Sequence, residues 1–349
     1  MQLRVAVFGP VKKYGGVYNH AYNLVKWLRK KGVTADYFTD PDMMPVSEEL
    51  HQIDDRDHIL LKIKKILKNI DYANKNYDIA HLHGTYCAFS FLFKIPVIVT
   101  MHSLADIKYE DKSVLPKNLL IDSLVLLNLK RNVKAITISK YLQELLKHHG
   151  ISSEVIPNGI DDDLAKLPKK RTREPIILYV GEFNKYKNIF GLLNAYVPLR
   201  EKYKLVLIGW GVLEKQMREF IARHELDNAK IIIRPTRETI TEYYEKSTCF
   251  VLPSERETFG IVVLEAMSKK LPVIVHKYTG PSEIVKNNYN GLVVNTSESQ
   301  QITEAIIKLM ENKPLRSKLA KNGLRTVKNY LWSNISKRIL NLYQNILSR

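Results

Sequence analysis

Short apolar runs alternate with longer helical patterns from one end of the chain to the other, and few folds accept that order. Runs of four to six residues fall at 3–8, 35–39, 79–83, 97–101 and 135–138, separated by amphipathic stretches such as 18–31. Strands that are apolar on both faces belong inside a sheet covered on both sides, and helical crossovers make neighbouring strands parallel. The chain therefore reads as α/β. The series pauses at Pro157-Asn158-Gly159, passes the acidic run Asp161-Asp162-Asp163 and a basic, proline-punctuated stretch at 166–175, then restarts at 175–180, 205–208, 230–233, 249–252, 273–275 and 292–294. Such turn formers and charges read as a linker. The expected organisation is one doubly wound domain over 1–160, a second over 161–330, and a terminal helical segment over 331–349. Two such sheets in tandem predict a central cleft, with ligands outside the carboxyl ends of the strands.

At 349 residues the chain is long enough for two cores, and 45% hydrophobic with 26% charged residues excludes disordered and collagenous classes. Its two cysteines, Cys87 and Cys249, lie in apolar stretches; they read as core residues of a reducing compartment and cannot make a four-ligand zinc site. The apolar run at the N-terminus is too short for a signal peptide, and no stretch approaches the ~18 apolar residues of a membrane span. A cytoplasmic protein is expected, with any membrane contact peripheral. The formal charge is +18, with net +6 over 1–160 and net +12 over 161–349, so no tail holds the excess. Dispersed positive charge attracts phosphate-bearing small molecules, acidic membranes or nucleic acid. No RNP, zinc-finger or basic-zipper pattern accompanies it, which argues against nucleic acid as a partner.

The stretch Pro253-Ser254-Glu255-Arg256-Glu257-Thr258-Phe259-Gly260-Ile261-Val262-Val263-Leu264-Glu265 carries the most chemistry. A strand ends at Leu252, a polar loop follows, and Phe259-Gly260 opens a helix. Amides at a helix start favour anions, so the segment suits a phosphate. Glu257 and Glu265 would repel that phosphate and are better used accepting hydrogen bonds from hydroxyl groups. A ligand with phosphate in the middle and hydroxylated rings at both ends, such as a nucleotide sugar, meets both demands. In a generic sheet the same two residues would be one surface and one half-buried glutamate.

Glu257 and Glu265 with Phe259-Gly260 between them resemble the E-x7-E signature of the retaining glycosyltransferases of family 4, which have the GT-B fold of two Rossmann-like domains. The family's glycine pair after the first strand is matched by Gly15-Gly16, its donor lysine by Lys187, and its glycine-rich turn near the base by Gly209-Trp210-Gly211. Gly280-Pro281-Ser282-Glu283 and Asn290-Gly291 match late family turns. Glu182 stands where the family has an arginine, and Lys185 is the nearest residue to replace its charge. The pattern is not the dinucleotide G-x-G-x-x-G fingerprint.

The resemblance implies that the C-terminal domain binds the donor through Lys187, Gly209, Thr258, Phe259, Gly260 and Glu265, with Gly15 and Gly16 of the N-terminal domain also donor-binding. It implies that Glu257 and His102 are catalytic, with Glu257 on hexose hydroxyls, Glu265 on the ribose and His102 beside the sugar. It also implies that the last helix returns to the N-terminal, acceptor-binding domain. No metal is required, and no other cofactor; the acidic run at 161–163 reads as solvated charge or helix capping. The partners implied are a UDP- or GDP-hexose and a glycan or lipid-linked acceptor. Loss of Glu257 is expected to abolish transfer and leave folding intact. His81 and His83 read as structural. A sugar-nucleotide epimerase or a phosphorylase of the same fold is the alternative enzyme.

For the acceptor side, Ile59, Leu60, Ile63, Ile66, Leu67 and Ile70 fall on one helical face with Lys62, Lys64, Lys65 and Lys68 largely opposite. A basic amphipathic helix can lie on an anionic bilayer. A crossover helix packed on the sheet is the reading preferred here, because a doubly wound fold requires such helices.

Overall fold

The computed structural model describes residues 2–10, 16–39, 59–104, 115–130, 133–165 and 173–348, and of the side chains in those ranges not 59–62, 117 or 165. The chain forms two units, Met1–Gly159 with Trp332–Arg349, and Ile160–Leu331. In unit 1 the elements are β1 (Arg4–Phe8), α1 (Gly16–Lys30), β2 (Thr34–Phe38), α2 (Ile59–Asn76), β3 (Ile79–His83), a 3-10 segment (Gly84–Leu92), β4 (Val97–Met101), α3 (Leu115–Leu129), β5 (Lys134–Thr137), α4 (Lys140–His148) and β6 (Ser153–Val155). All strands are parallel, in the order β2-β1-β3-β4-β5-β6. The strand order reverses at β1, whose neighbours are β2 and β3.

Unit 2 repeats the plan with β7 (Ile176–Glu182), α5 (Ile189–Tyr196), β8 (Lys204–Trp210), α6 (Glu214–Arg223), β9 (Ala229–Ile233), α7 (Arg237–Lys246), β10 (Cys249–Leu252), α8 (Ile261–Ser268), β11 (Val273–His276), α9 (Pro281–Ile284), β12 (Leu292–Val294), α10 (Ser299–Glu311) and α11 (Lys313–Val327). Its parallel order is β12-β11-β10-β7-β8-β9. Here the reversal lies between β7 and β10, which pair at Cys249↔Ile177 and Phe250↔Leu178. Ligands of open α/β sheets bind where two loops diverge at such a reversal.

The last helix, α12 (Trp332–Leu347), belongs to unit 1. Trp332, Ile335, Ile339 and Tyr343 recur at spacings of three and four and join the core made by Ala21, Leu24, Val25 and Leu28 of α1. A Cβ on Gly159 would lie 2.6 Å from the Trp332 indole, so the chain leaves unit 1 at a residue with no side chain to spare. Beyond it, Ile160 N–H donates to the Tyr330 carbonyl at 2.8 Å and bridges Leu331, so the two passages run side by side. Asp161 Oδ1 accepts from the Asp163 amide at 3.3 Å, at the start of the 3-10 turn Asp162–Ala165. Residues 166–172 of the expected linker lie outside the described residues.

The apolar stripe of α2 departs from the expected core-packed crossover helix. Ile70 is buried, yet Ile63 and Leu67 on the same face are exposed. Tertiary cover reaches the C-terminal turns, where Asn74 Nδ2 donates to the Leu92 carbonyl and Asn74 Oδ1 accepts from the Lys94 amide.

Candidate functional site

The loops after β7 and β10 flank the strand-order reversal of unit 2, and each delivers one charged side chain. Lys187 ends a 3-10 turn (Lys185–Lys187), and Glu257 lies in the loop before α8. Lys187 Nζ donates to Glu257 Oε2 at 2.6 Å, with the two side chains only 14% and 16% exposed. Burial works against both charges. It is outweighed in each case, because the Glu257 charge and hydrogen bond raise the pKa of Lys187, and Lys187 with the Phe259 and Gly260 amides lowers that of Glu257. Both groups are therefore ionised at neutral pH. The Phe259 amide donates to Glu257 Oε1 at 3.4 Å, so the amides expected to face a phosphate are turned to Glu257 here.

That loop is held from behind. The Gly280 amide donates to the Glu257 carbonyl at 2.8 Å, and a Cβ at Gly280 would stand 2.0 Å from the Thr258 carbonyl oxygen. Gly260, at φ 79°, caps α8 in the left-handed region, where a Cβ would meet Pro281 at 2.6 Å. Thr258 is half-buried, and Phe259 is buried with its ring 6.0 Å from that of Tyr330. The Glu255 amide donates to the Tyr186 carbonyl at 3.0 Å, which ties this loop to the one bearing Lys187.

Glu265 on α8 is buried, and its two oxygens have different partners. Oε1 accepts from Arg237 Nη2 at 2.8 Å and Oε2 from the Tyr244 hydroxyl at 3.1 Å. The Glu265 charge in turn raises the pKa of Arg237. Sequence reasoning missed both partners. The available signal is Arg237 as the first residue of α7, since a cation at a helix N-terminus opposes the helix dipole and needs a carboxylate nearby. Tyr244, seven residues on, shares its helix face. Gly209 has a packing explanation: a Cβ there would lie 1.8 Å from the Gly181 carbonyl oxygen, so β7 itself demands glycine. Glu182 is exposed and accepts from Asn184 Nδ2 at 3.0 Å and the Tyr186 hydroxyl at 3.4 Å within its own loop.

In unit 1 the carboxyl ends of β3 and β4 present histidines. His83 Nδ1 and His102 Nε2 are 3.2 Å apart, and the His20 ring of α1 packs on both, at 5.2 and 5.0 Å between centroids. His20 Nδ1 pairs with Asn158 Oδ1 at 2.7 Å. Behind them His81 bridges the Tyr343 hydroxyl of α12, at 2.6 Å, and Thr100 Oγ1, at 2.7 Å. All four rings are buried. Burial pushes the His20 pKa down to about 4, and burial with mutual repulsion holds His81, His83 and His102 well below the ordinary imidazole range, so the cluster is neutral at pH 7. Nitrogens of His20, His83 and His102 lie within 4.8 Å of one another, a geometry that could hold a divalent ion. The His83–His102 spacing also fits a direct N–H···N hydrogen bond, which needs none. His83 thus does more than fill the core, because it fixes the ring of His102. Gly16 starts α1, and a Cβ on it would meet nothing within 4 Å. Gly15 lies outside the described residues.

Comparison with known proteins places this geometry. The family described as Glycosyl transferases group 1 matches residues 161–326, and Glycosyltransferase Family 4 matches residues 14–164. An uncharacterized glycosyltransferase of Methanocaldococcus jannaschii is 27% identical over 350 residues, 95% of each chain. Among solved structures, sucrose-phosphate synthase from Thermosynechococcus elongatus superposes with a TM-score of 0.83 at 21% identity, covering 99% of this chain and 100% of that one. Anabaena HepE, solved in complex with UDP-glucose, gives 0.77 at 16% identity, covering 99% and 100%. These likenesses show the fold, two Rossmann-like units of the GT-B class. The two family matches together run from residue 14 to residue 326, and the chain belongs to the group 1 glycosyltransferases of family 4.

Proposed function

We propose that this glycosyltransferase moves a hexose from a UDP- or GDP-sugar to a hydroxyl of a glycan, glycolipid or other acceptor, with retention of configuration and without a metal ion. The observation that carries the reading is the Lys187–Glu257 pair at the strand-order reversal of unit 2. A bare carboxylate there would repel a diphosphate; paired with Lys187 it does not. Lysine has three N–H donors, so the ammonium that holds Glu257 keeps two for phosphate oxygens. Glu257 keeps lone pairs for hexose hydroxyls, and Glu265, oriented by Arg237 and Tyr244, keeps them for the ribose. Thr258, Phe259 and Gly260 border the phosphates and Gly209 the base. In unit 1 the family resemblance assigns Gly15 and Gly16 to the donor phosphate and His102 to the sugar, and His102 is a neutral imidazole that can hydrogen-bond without adding charge. The relative solved with UDP-glucose supports a nucleotide-sugar donor.

The bond between the anomeric carbon and the diphosphate oxygen breaks as the acceptor oxygen bonds on the same face. The departing phosphate oxygen takes the acceptor's proton. Positive side chains and fixed dipoles offset the charge that develops on the leaving group. Thermal shift against UDP-, GDP- and ADP-sugars is the first test, since a donor at 100 times its dissociation constant adds about 2.7 kcal/mol. NMR of the product should then show the donor's anomeric configuration, with turnover unchanged by EDTA. Donor conversion with no acceptor present would indicate an epimerase, and a requirement for inorganic phosphate a phosphorylase; either outcome overturns the reading.

A further inference from the structure

Three imidazoles meet at the carboxyl ends of β3 and β4, and hydrogen bonds do not account for all of their nitrogens. His20 comes from the second turn of α1, His83 is the last residue of β3, and His102 directly follows β4. Nitrogens of the three rings lie within 4.8 Å of one another. His20 Nδ1 stands 2.7 Å from Asn158 Oδ1, an oxygen that can only accept, so Nδ1 carries the hydrogen of the neutral ring. Its Nε2 is therefore a bare lone pair. That atom is buried, as is His83 Nε2, and neither has a hydrogen-bond partner among the described residues. Buried polar atoms are seldom left in that condition, because each lost its water on folding.

The atoms present identify the ligand. Among the described residues no carboxylate or thiol joins the three rings. Imidazole nitrogens without oxygen ligands suit zinc, cobalt, nickel or copper, whereas magnesium and calcium require oxygens. Nitrogens bound to one tetrahedral zinc ion stand about 3.3 Å apart. His83 Nδ1 and His102 Nε2 are already 3.2 Å apart, with one hydrogen between two lone pairs. An ion in place of that hydrogen leaves both rings neutral, each with its N–H on the far nitrogen. The third corner needs only a rotation of the His20 ring. Metal-binding histidines are held by partners behind them that fix ring and tautomer. Asn158 does this for His20, which also packs edge-on against Trp332 at 5.0 Å, and His81 stacks on His83 at 4.5 Å while bonded to Tyr343 and Thr100.

We propose that His20, His83 and His102 form a binding site for one divalent ion of the zinc class. The ion has no part in the transfer proposed above. With His102 assigned to the sugar, an ion on that ring withdraws it from the donor, so occupancy stops the reaction; this consequence rests on the donor reading, and the site itself does not. The untagged full chain, stripped with EDTA and dialysed, is titrated with Co²⁺ and with Zn²⁺. One equivalent should bind, Co²⁺ should show the visible absorption of a four- or five-coordinate ion, and Zn²⁺ but not Mg²⁺ should displace it. His20→Gln should weaken binding about a hundredfold or more, and Asn158→Ala, which removes only the partner behind His20, about tenfold. His20→Gln should keep the wild-type circular dichroism and transfer. His148→Ala/His149→Ala, at an exposed pair, should bind as the wild type does. No binding by the wild type, equal binding by His20→Gln, or loss of binding in the surface variant overturns the proposal. One equivalent of Zn²⁺ should abolish transfer by the wild type, reversibly with EDTA, and spare His20→Gln. Binding with transfer undiminished would support the site and remove His102 from the sugar, so failure of the donor reading is told apart from failure of the site.

Discussion

Lys187 and Glu257 hold one another ionised against the burial that works against both charges. Their pairing adds a stability cost to the expectation that loss of Glu257 abolishes transfer and leaves folding intact. Glu257→Ala leaves a mostly buried ammonium unpaired, which costs about 3 kcal/mol, whereas Glu257→Gln keeps a hydrogen-bond acceptor. Both variants should lose transfer, and thermal unfolding should show the alanine variant clearly less stable than the glutamine one. Arg237 acts one step removed, by fixing the Glu265 carboxylate. Arg237→Ala should raise the donor KM about tenfold with a smaller change in kcat; an unchanged donor KM would count against Glu265 as a donor ligand. The imidazoles of His20, His81, His83 and His102 all have folded-state pKa values below the unfolded value of about 6.5. Their contribution is therefore present above that pH and is lost as pH falls from about 6.5 toward 4, at up to about 1.4 kcal/mol per group per pH unit. The melting temperature should drop steeply from pH 7 to pH 5, and less steeply in His81→Gln.

Among elements, α12 and the loop before α8 do opposite things with similar means. α12 fills unit 1 with Trp332, Ile335, Ile339 and Tyr343, and its Tyr343 hydroxyl reaches His81 on β3. Trp332→Ala removes a fully buried indole and should cost about 3–5 kcal/mol, read as a lower denaturant midpoint. The loop before α8 is held by glycines that let two backbones touch at Gly280 and Thr258. The strands were legible because apolar runs are local: 79–83, 97–101, 249–252 and 292–294 coincide with β3, β4, β10 and β12, and the other runs fall within two residues of their strands at each end. The exposure of Ile63 and Leu67 on α2 was not legible, since an apolar stripe reads the same whether its outer face is covered or bare.

At the scale of the whole molecule, two sheets with their own cores are joined by two adjacent chain passages. Placing the nucleotide on unit 2 predicts that saturating UDP or GDP raises the unfolding transition of that unit in calorimetry and leaves that of unit 1 near its original temperature. Equal shifts in both would contradict the assignment. Lys187, Gly209 and Glu257 of unit 2 were readable because they lie at or after the carboxyl ends of strands, where the α/β plan sends ligands, and Glu265 because it lies eight residues beyond Glu257 on the helix that follows. Arg237 and Asn158 were not, because their partners stand 28 and 138 residues away.

What the sequence by itself determined is what short-range physics records: the alternation that makes two parallel sheets, the glycines that close turns, and the charged residues placed at strand ends. Tertiary structure alone decided the pairings, Lys187 with Glu257, Arg237 with Glu265, His83 with His102, and which apolar stripe stays bare. A pattern of residue types states what a side chain can do. Its partner and its exposure depend on which distant segments the fold brings beside it, and a local pattern carries no record of those.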